Sequence, residues 1–359
     1  MLRELPADAL QFLLTSSVAV LQAELAPCGV HLGECIAVDT KHIIAWVKEN
    51  NPKAYVSNRY DKTQPPAGDP DCKLGCKRRH NRRAPGTDEQ AAPPTPAQNP
   101  RAAKTVAVGE FYWGYASGVV ATKVPAWGEF VLAELTQPFN QPDVSYFEPL
   151  LTATEQRLGF RPPYAAFDAA FDAFYIYEYF DQPLTDAPDA PHGFAAVPFS
   201  GRGGHKLRFN AEGQPLCQAE LAMPPRYTFH NKTTRVAHDR IRYACPLRWP
   251  EPTAEACPVN HKQWAKGGCT TTIPASRGAR LRYQLDRESD AYKDVYKQRT
   301  ATERINSQAV ELGIERPHLR NGQAIAHLNT LIYILINLRA LQRIRQRKAN
   351  GGGTSPKNA

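Results

Sequence analysis

Gly33-Glu34-Cys35-Ile36-Ala37-Val38-Asp39-Thr40-Lys41 is a short apolar run that ends on an acid. Read as a β-strand, it delivers Asp39 to the carboxyl edge of a sheet, where open α/β folds place their sites. The run Pro163-Tyr164-Ala165-Ala166-Phe167-Asp168 has the same form and brings Asp168 to a sheet edge in the same way. The stretch from Asp290 to Leu312 contains no Pro or Gly and reads as a helix. Within it Tyr296, Arg299 and Glu303 stand at i, i+3 and i+7, which puts them on one helical face. A carboxylate flanked by an Arg and a Tyr hydroxyl suits a metal ligand with supporting groups. A solvated helix face with an ordinary Arg/Glu pair has the same spacing. Three carboxylates at one edge would offer hard oxygen donors for Mg²⁺ or Mn²⁺, and a two-metal site suits phosphodiester chemistry.

Taken in order, Val38-Asp39-Thr40-Lys41, the Ala165-Ala166-Phe167-Asp168 strand and Tyr296-x2-Arg299-x3-Glu303 resemble the DDE transposases of bacterial insertion sequences. The last piece matches the first three positions of that family's Tyr-Arg-Glu-Lys signature. The fourth departs, because Val310 stands where the Lys is expected. The resemblance covers roughly residues 33 to 340. It implies an α/β fold: an RNase H-like mixed sheet flanked by helices, with a β-rich insertion before the last catalytic helix. It implies Asp39, Asp168 and Glu303 as ligands of Mg²⁺ or Mn²⁺, with Arg299 holding Glu303 or a phosphate and Tyr296 positioning the scissile phosphate. Lys41 becomes a phosphate contact. The expected activity is metal-dependent cleavage of DNA and strand transfer, on double-stranded transposon ends and target, by a homodimer or larger assembly. Two rivals are a nuclease on the same core that only hydrolyses, and an inactive transposon-derived DNA-binding protein.

The chain has 359 residues, is 42% hydrophobic and carries a net charge of +9. That is enough apolar material for one large domain or two, and the basic balance suits a nucleic-acid partner without specifying a fold. The N-terminus lacks a charged leader with an apolar core and cleavage site, and Ala324 to Leu338 is too polar and short for a span, so a cytoplasmic, nucleoid-associated protein is expected. Eight cysteines in that setting are free thiols or metal ligands rather than disulfides.

The expected divisions are a helical segment over 1–32, a first part of the core over 33–206, and a Cys-containing insertion over 207–287. Core helices follow over 288–348, with a disordered tail over 349–359. Within the first part, residues 61–105 read as a loose insertion rich in Pro and basic side chains, including Lys73, Lys77 and Arg83. Residues 109–135 read as two or three antiparallel strands, 143–158 and 174–180 as helices, and 192–198 as a further strand. Asp172, beyond the Asp168 strand, reads as a capping or supporting acid. Cys245, Cys257, His261 and Cys269 in the insertion could share a structural zinc, although their spacing is not a clean Cys-x2-Cys pair. Arg280, Arg282 and Arg287 form a basic stretch that could contact DNA. The last helix, 319–348, carries Ile325, Leu328, Leu331, Ile332, Leu335, Leu338 and Leu341 near a 3.6 period, read as the stripe that packs on the sheet.

Overall fold

The computed structural model describes residues 2–6, 8–78, 109–200, 207–232, 236–259 and 261–350. Most of the expected loose insertion (79–105), the glycine-rich Gly201 to Lys206 and the last nine residues of the tail lie outside them.

Chain order begins with α1 (Ala9–Leu25) and β1 (Cys35–Ile44), followed by β2 (Lys73–Arg78), β3 (Gly109–Val124) and β4 (Gly128–Pro138). Then come α2 (Phe147–Leu158), β5 (Tyr164–Ala166), α3 (Phe174–Phe180) and β6 (Phe194–Ala196). The main sheet is mixed, with order β2-β3-β1-β5-β6 and β4 also paired to β3. β3 runs antiparallel to both β1 and β4, whereas β5 and β6 run parallel to β1. The protein is thus mixed α/β, a curled mixed sheet flanked by helices. Residues 73–78 of the expected loose insertion are not loose: they form β2, which pairs with Gly109 to Gly114 of β3.

The period-two alternation of a strand sorts the two cores. Ile36 and Val38 of β1, with Tyr112, Ala116 and Val120 of β3, face one cluster with α1, α2 and α3. Ile43 of β1, with Trp113, Tyr115, Val119 and Ala121 of β3, faces the other. Asp39 shares the parity of Ile43 and pairs with Val119, so it stands on this second face. At Gly114 the strands approach so closely that a Cβ would lie 2.1 Å from the Ile43 carbonyl oxygen, which only Gly permits.

The second face is covered by α6 (Thr300–Glu311) and α7 (Gly322–Ala349), preceded by α4 (Arg277–Gln284) and α5 (Asp290–Lys297). Two expectations are corrected here. The 290–312 stretch is not one helix: α5 and α6 are separated at Gln298-Arg299, so Tyr296 and Glu303 do not share a helical face. The hydroxyls of Thr300 and Thr302 hydrogen-bond the carbonyls of Lys297 and Arg299 at 2.9 and 2.8 Å. Such local side-chain bonds compete with continuous helix.

The apolar stripe of α7 holds in part: Ile325, Leu328, Ile332 and Leu341 pack on the core as expected. Leu331, Leu335 and Leu338 are exposed, while His327, Asn329, Thr330 and Asn337 are buried. The cause is the open edge of β4. The Asn337 side chain accepts from the Val131 N–H at 2.9 Å and donates to its carbonyl at 2.9 Å, pairing that edge as a strand would. Thr330 and Gln11 of α1 donate to the buried carboxyl of Glu134 on β4, the latter at 3.0 Å. By length and composition alone Ala9–Cys28 and Gly322–Ala349 are each long and apolar enough to cross a membrane, a test that a buried core helix also passes. In the fold these two helices pack on each other and against β4. The basic end of α7 is partly engaged, since Arg345 and Lys348 pair with Glu24.

Residues 207–274 form a separate three-stranded sheet, β7 (Pro225–Asn231), β8 (His238–Ala244) and β9 (Thr270–Pro274), in that order. The β-rich insertion is therefore present, but its expected last part, Arg277 to Gln284, is helical.

Candidate functional site

Asp39 and Asp168 come together through strand register. β1 and β5 are parallel, with Cys35 opposite Tyr164 and Ala37 opposite Ala166. Continued two residues, that register brings Asp168 level with Asp39 on the neighbouring strand. Asp168 leaves the strand there and turns the chain, its carboxylate accepting the Ala170 N–H at 2.8 Å as the cap of a single 3-10 turn.

Glu303 arrives from the helical layer. It stands in the first turn of α6, exposed, and shares with Asp39 a cleft of about 470 Å³. Asn306, one turn further along α6, donates to the outer Asp39 oxygen at 3.4 Å. The other Asp39 oxygen accepts the Thr40 N–H at 2.9 Å. None of the three acids is in a salt bridge among the described residues, in contrast to Glu315 and Asp172, which pair with Lys41 and Arg282.

Burial pushes the Asp39 carboxyl up to about 6, with Arg299 and the Thr40 N–H pulling it down and Asp168 and Asp143 adding to the rise. Burial also works against the Arg299 charge, but Asp39, Tyr296 and Asp168 together hold its guanidinium above the usual range. Arg299 donates to the Tyr296 hydroxyl at 3.5 Å, a long contact. Its Nε and the Asn306 Oδ1 are both buried without a partner among the described residues.

The donor chemistry fits a hard divalent ion, since Asp39, Asp168, Glu303 and Asn306 offer only oxygens. The oxygens are not yet gathered. Among the described residues no group of three or more His, Cys, Asp or Glu is placed tightly enough to hold a metal ion. The three acids border one region of the molecule without forming a coordination shell.

The other expected contacts divide. Lys41 lies in the same cleft, but its ammonium pairs with Glu315 at 3.3 Å. Val310 also lines this cleft. Arg282 and Arg287 are spent inside the protein and do not present free charge. Arg282 binds both Asp172 oxygens, at 2.7 and 2.6 Å, and Asp172 also accepts the Tyr177 hydroxyl and the Ser200 N–H. Burial opposes the Asp172 charge, but these donors hold its carboxyl below the usual range. Arg287 donates to the carbonyls of Val197 and Arg282 and to the Tyr177 hydroxyl. Arg280 is half-buried against Gly213. Of the expected zinc set, Cys245 and Cys269 flank the last rung of the β8–β9 ladder, Ala244 with Thr270, but among the described residues Cys245, Cys257, His261 and Cys269 are not gathered into a group that could hold a metal ion. The sequence reading missed Asn306: it stands at no motif position, and only the approach of α6 to β1 marks it.

No family model, no curated protein and no solved structure matches the chain.

Proposed function

We propose that the protein is a DDE-type transposase with an RNase H-like core, cleaving and joining DNA at Asp39, Asp168 and Glu303 with Mg²⁺ or Mn²⁺. The observation that carries this reading is the meeting of two elements: Asp39, on the central strand, faces the same cleft as Glu303 on α6, with Asp168 level with it on the next parallel strand. The strand order supports it further. Three antiparallel strands, β4-β3-β1, continued by parallel β5 and β6, match the arrangement expected of an RNase H-like sheet.

Bound Mg²⁺ would supply the charge that activates an attacking oxygen and stabilises the departing one. Asp39, Asp168 and Glu303 would hold it. Asn306 steadies the outer Asp39 oxygen. Arg299 keeps a delocalised positive charge beside Asp39 and Asp168, where a phosphate would also be drawn. Tyr296 would position the scissile phosphate, its hydroxyl taking a long hydrogen bond of 3.5 Å from Arg299.

The test is a joining assay with the full chain, Mg²⁺, a duplex carrying the element's terminus with a free 3′-hydroxyl, and a supercoiled target plasmid. Joined products are expected. Hydrolysis without joining would assign the core to a nuclease, and neither reaction from folded protein would overturn the enzymatic reading.

A further inference from the structure

Large aromatic side chains are exposed together at one end of the main sheet. Trp46, two residues beyond β1, is 51% exposed, and Tyr60 and Phe111 are each about half exposed. Buried Trp113 ties them to one place. Its carbonyl accepts the Ala45 N–H at 3.0 Å, and its indole N–H donates to the Arg59 carbonyl at 2.8 Å. Trp46 follows the first of these partners and Tyr60 the second, and the Tyr60 and Phe111 ring centres lie 6.4 Å apart. The Trp46 ring stacks on His318 at 5.3 Å between centres, 27° from parallel, and the Arg320 guanidinium stands 4.8 Å from its centre. A lone surface aromatic needs no explanation, but exposed aromatics grouped with a planar cation are what binds unpaired bases.

This surface is continuous with the Asp39 cleft. β1 loses its β5 partner after Ala37, and residues 314–320 lie beside its far end, where the Ile44 N–H donates to the Glu315 carbonyl at 2.9 Å. Asp39, Lys41 and Arg316 line the cleft, and the same segment then lays His318 and Arg320 on Trp46. A strand extends about 17 Å over the five steps from Asp39 to Ile44. Arg316, Arg320 and Lys48 are exposed, whereas two acids of this edge are engaged, Glu315 by Lys41 and Asp71 by the Gly322 N–H.

We propose that Trp46, His318 and Arg320 form a stacking surface for an unpaired base of single-stranded DNA, whose backbone runs along β1 past Arg316 into the Asp39 cleft. That the strand is DNA rests on the transposase reading. Every base has a π-face, so the surface takes bases with little regard to sequence, and Arg320 adds a cation–π contribution. Duplex DNA keeps its base faces in the stack and would meet this surface through phosphates alone, which do not use aromatic rings.

The test is fluorescence anisotropy of the full chain without divalent metal, using a labelled oligothymidine of about 12 nucleotides and a duplex of the same length. Trp46→Ala should weaken binding of the single strand about 5- to 100-fold, the range expected for losing one stacked base, and leave duplex binding unchanged. Trp46→Phe should restore most of the loss. Should the Ala variant fail to fold, photocrosslinking of the wild-type chain to a strand carrying 5-iododeoxyuridine keeps the proposal testable: a crosslinked peptide containing Trp46 is expected, and crosslinks confined to other segments overturn it. Single-strand binding unchanged in Trp46→Ala, or wild type that binds duplex but no single strand, overturns the stacking surface and leaves the transposase reading standing. Folded wild type that binds neither probe overturns the surface and counts against that reading as well.

Discussion

Asp39 and Asp168 stand two residues beyond the same rung, Ala37 to Ala166, of the parallel β1–β5 ladder. Neighbouring strands lie about 4.8 Å apart, so this register leads the chain out of β5 to Asp168 beside Asp39, which lies inside β1. Burial and the nearby acids explain why the Asp39 carboxyl is pushed up to about 6.

Asn306→Ala should lower divalent-dependent turnover about 10–100-fold, the usual cost of removing a group that orients a metal-binding carboxylate. The melting temperature should change little, since Asn306 is only half-buried and its one bond to Asp39 is long. Unchanged turnover in purified, folded variant would remove Asn306 from the site.

Arg282→Ala should cost stability rather than DNA affinity. Its guanidinium grips a nearly inaccessible Asp172, and leaving a buried charge without its partner costs about 3–5 kcal/mol. Arg280→Ala should cost far less. Denaturant unfolding separates the two, and equal stabilities would contradict the internal role given to Arg282.

Glu134 predicts a pH dependence of stability. Burial pushes its carboxyl up to about 7, against the pull of the Thr330 and Gln11 hydrogen bonds and of Arg157. The folded protein therefore binds a proton that the unfolded chain releases near pH 4.5. Stability from this group is fully present below that value and is lost as pH rises toward about 7, then levels off. Glu134→Gln should flatten this slope in melts collected across the interval. A slope unchanged by the substitution would assign the pH dependence elsewhere.

Much of the sheet was legible because apolar and alternating aromatic runs announce their own geometry. Asp168 and the helices over 147–158 and 174–180 fall where local pattern placed them, whereas β1 runs on past Asp39 to Ile44, so that acid stands inside its strand and not at its end. What was hidden depends on partners. Periodicity placed Tyr296, Arg299 and Glu303 on one helix, but two Thr hydroxyls divert backbone carbonyls at the break. Leucines of α7 that keep a 3.6 period face outward, because Asn337 and Thr330 meet β4. A run of arginines carries no mark of whether an acid such as Asp172 waits inside.

The central claim is tested most directly by divalent-dependent cleavage of duplex DNA carrying the element's end, comparing wild-type protein with Asp39→Asn. The account expects Mg²⁺-dependent strand cleavage from the wild type. It expects no detectable cleavage from the variant, with folding and DNA binding retained. Cleavage by Asp39→Asn at the wild-type rate would contradict it.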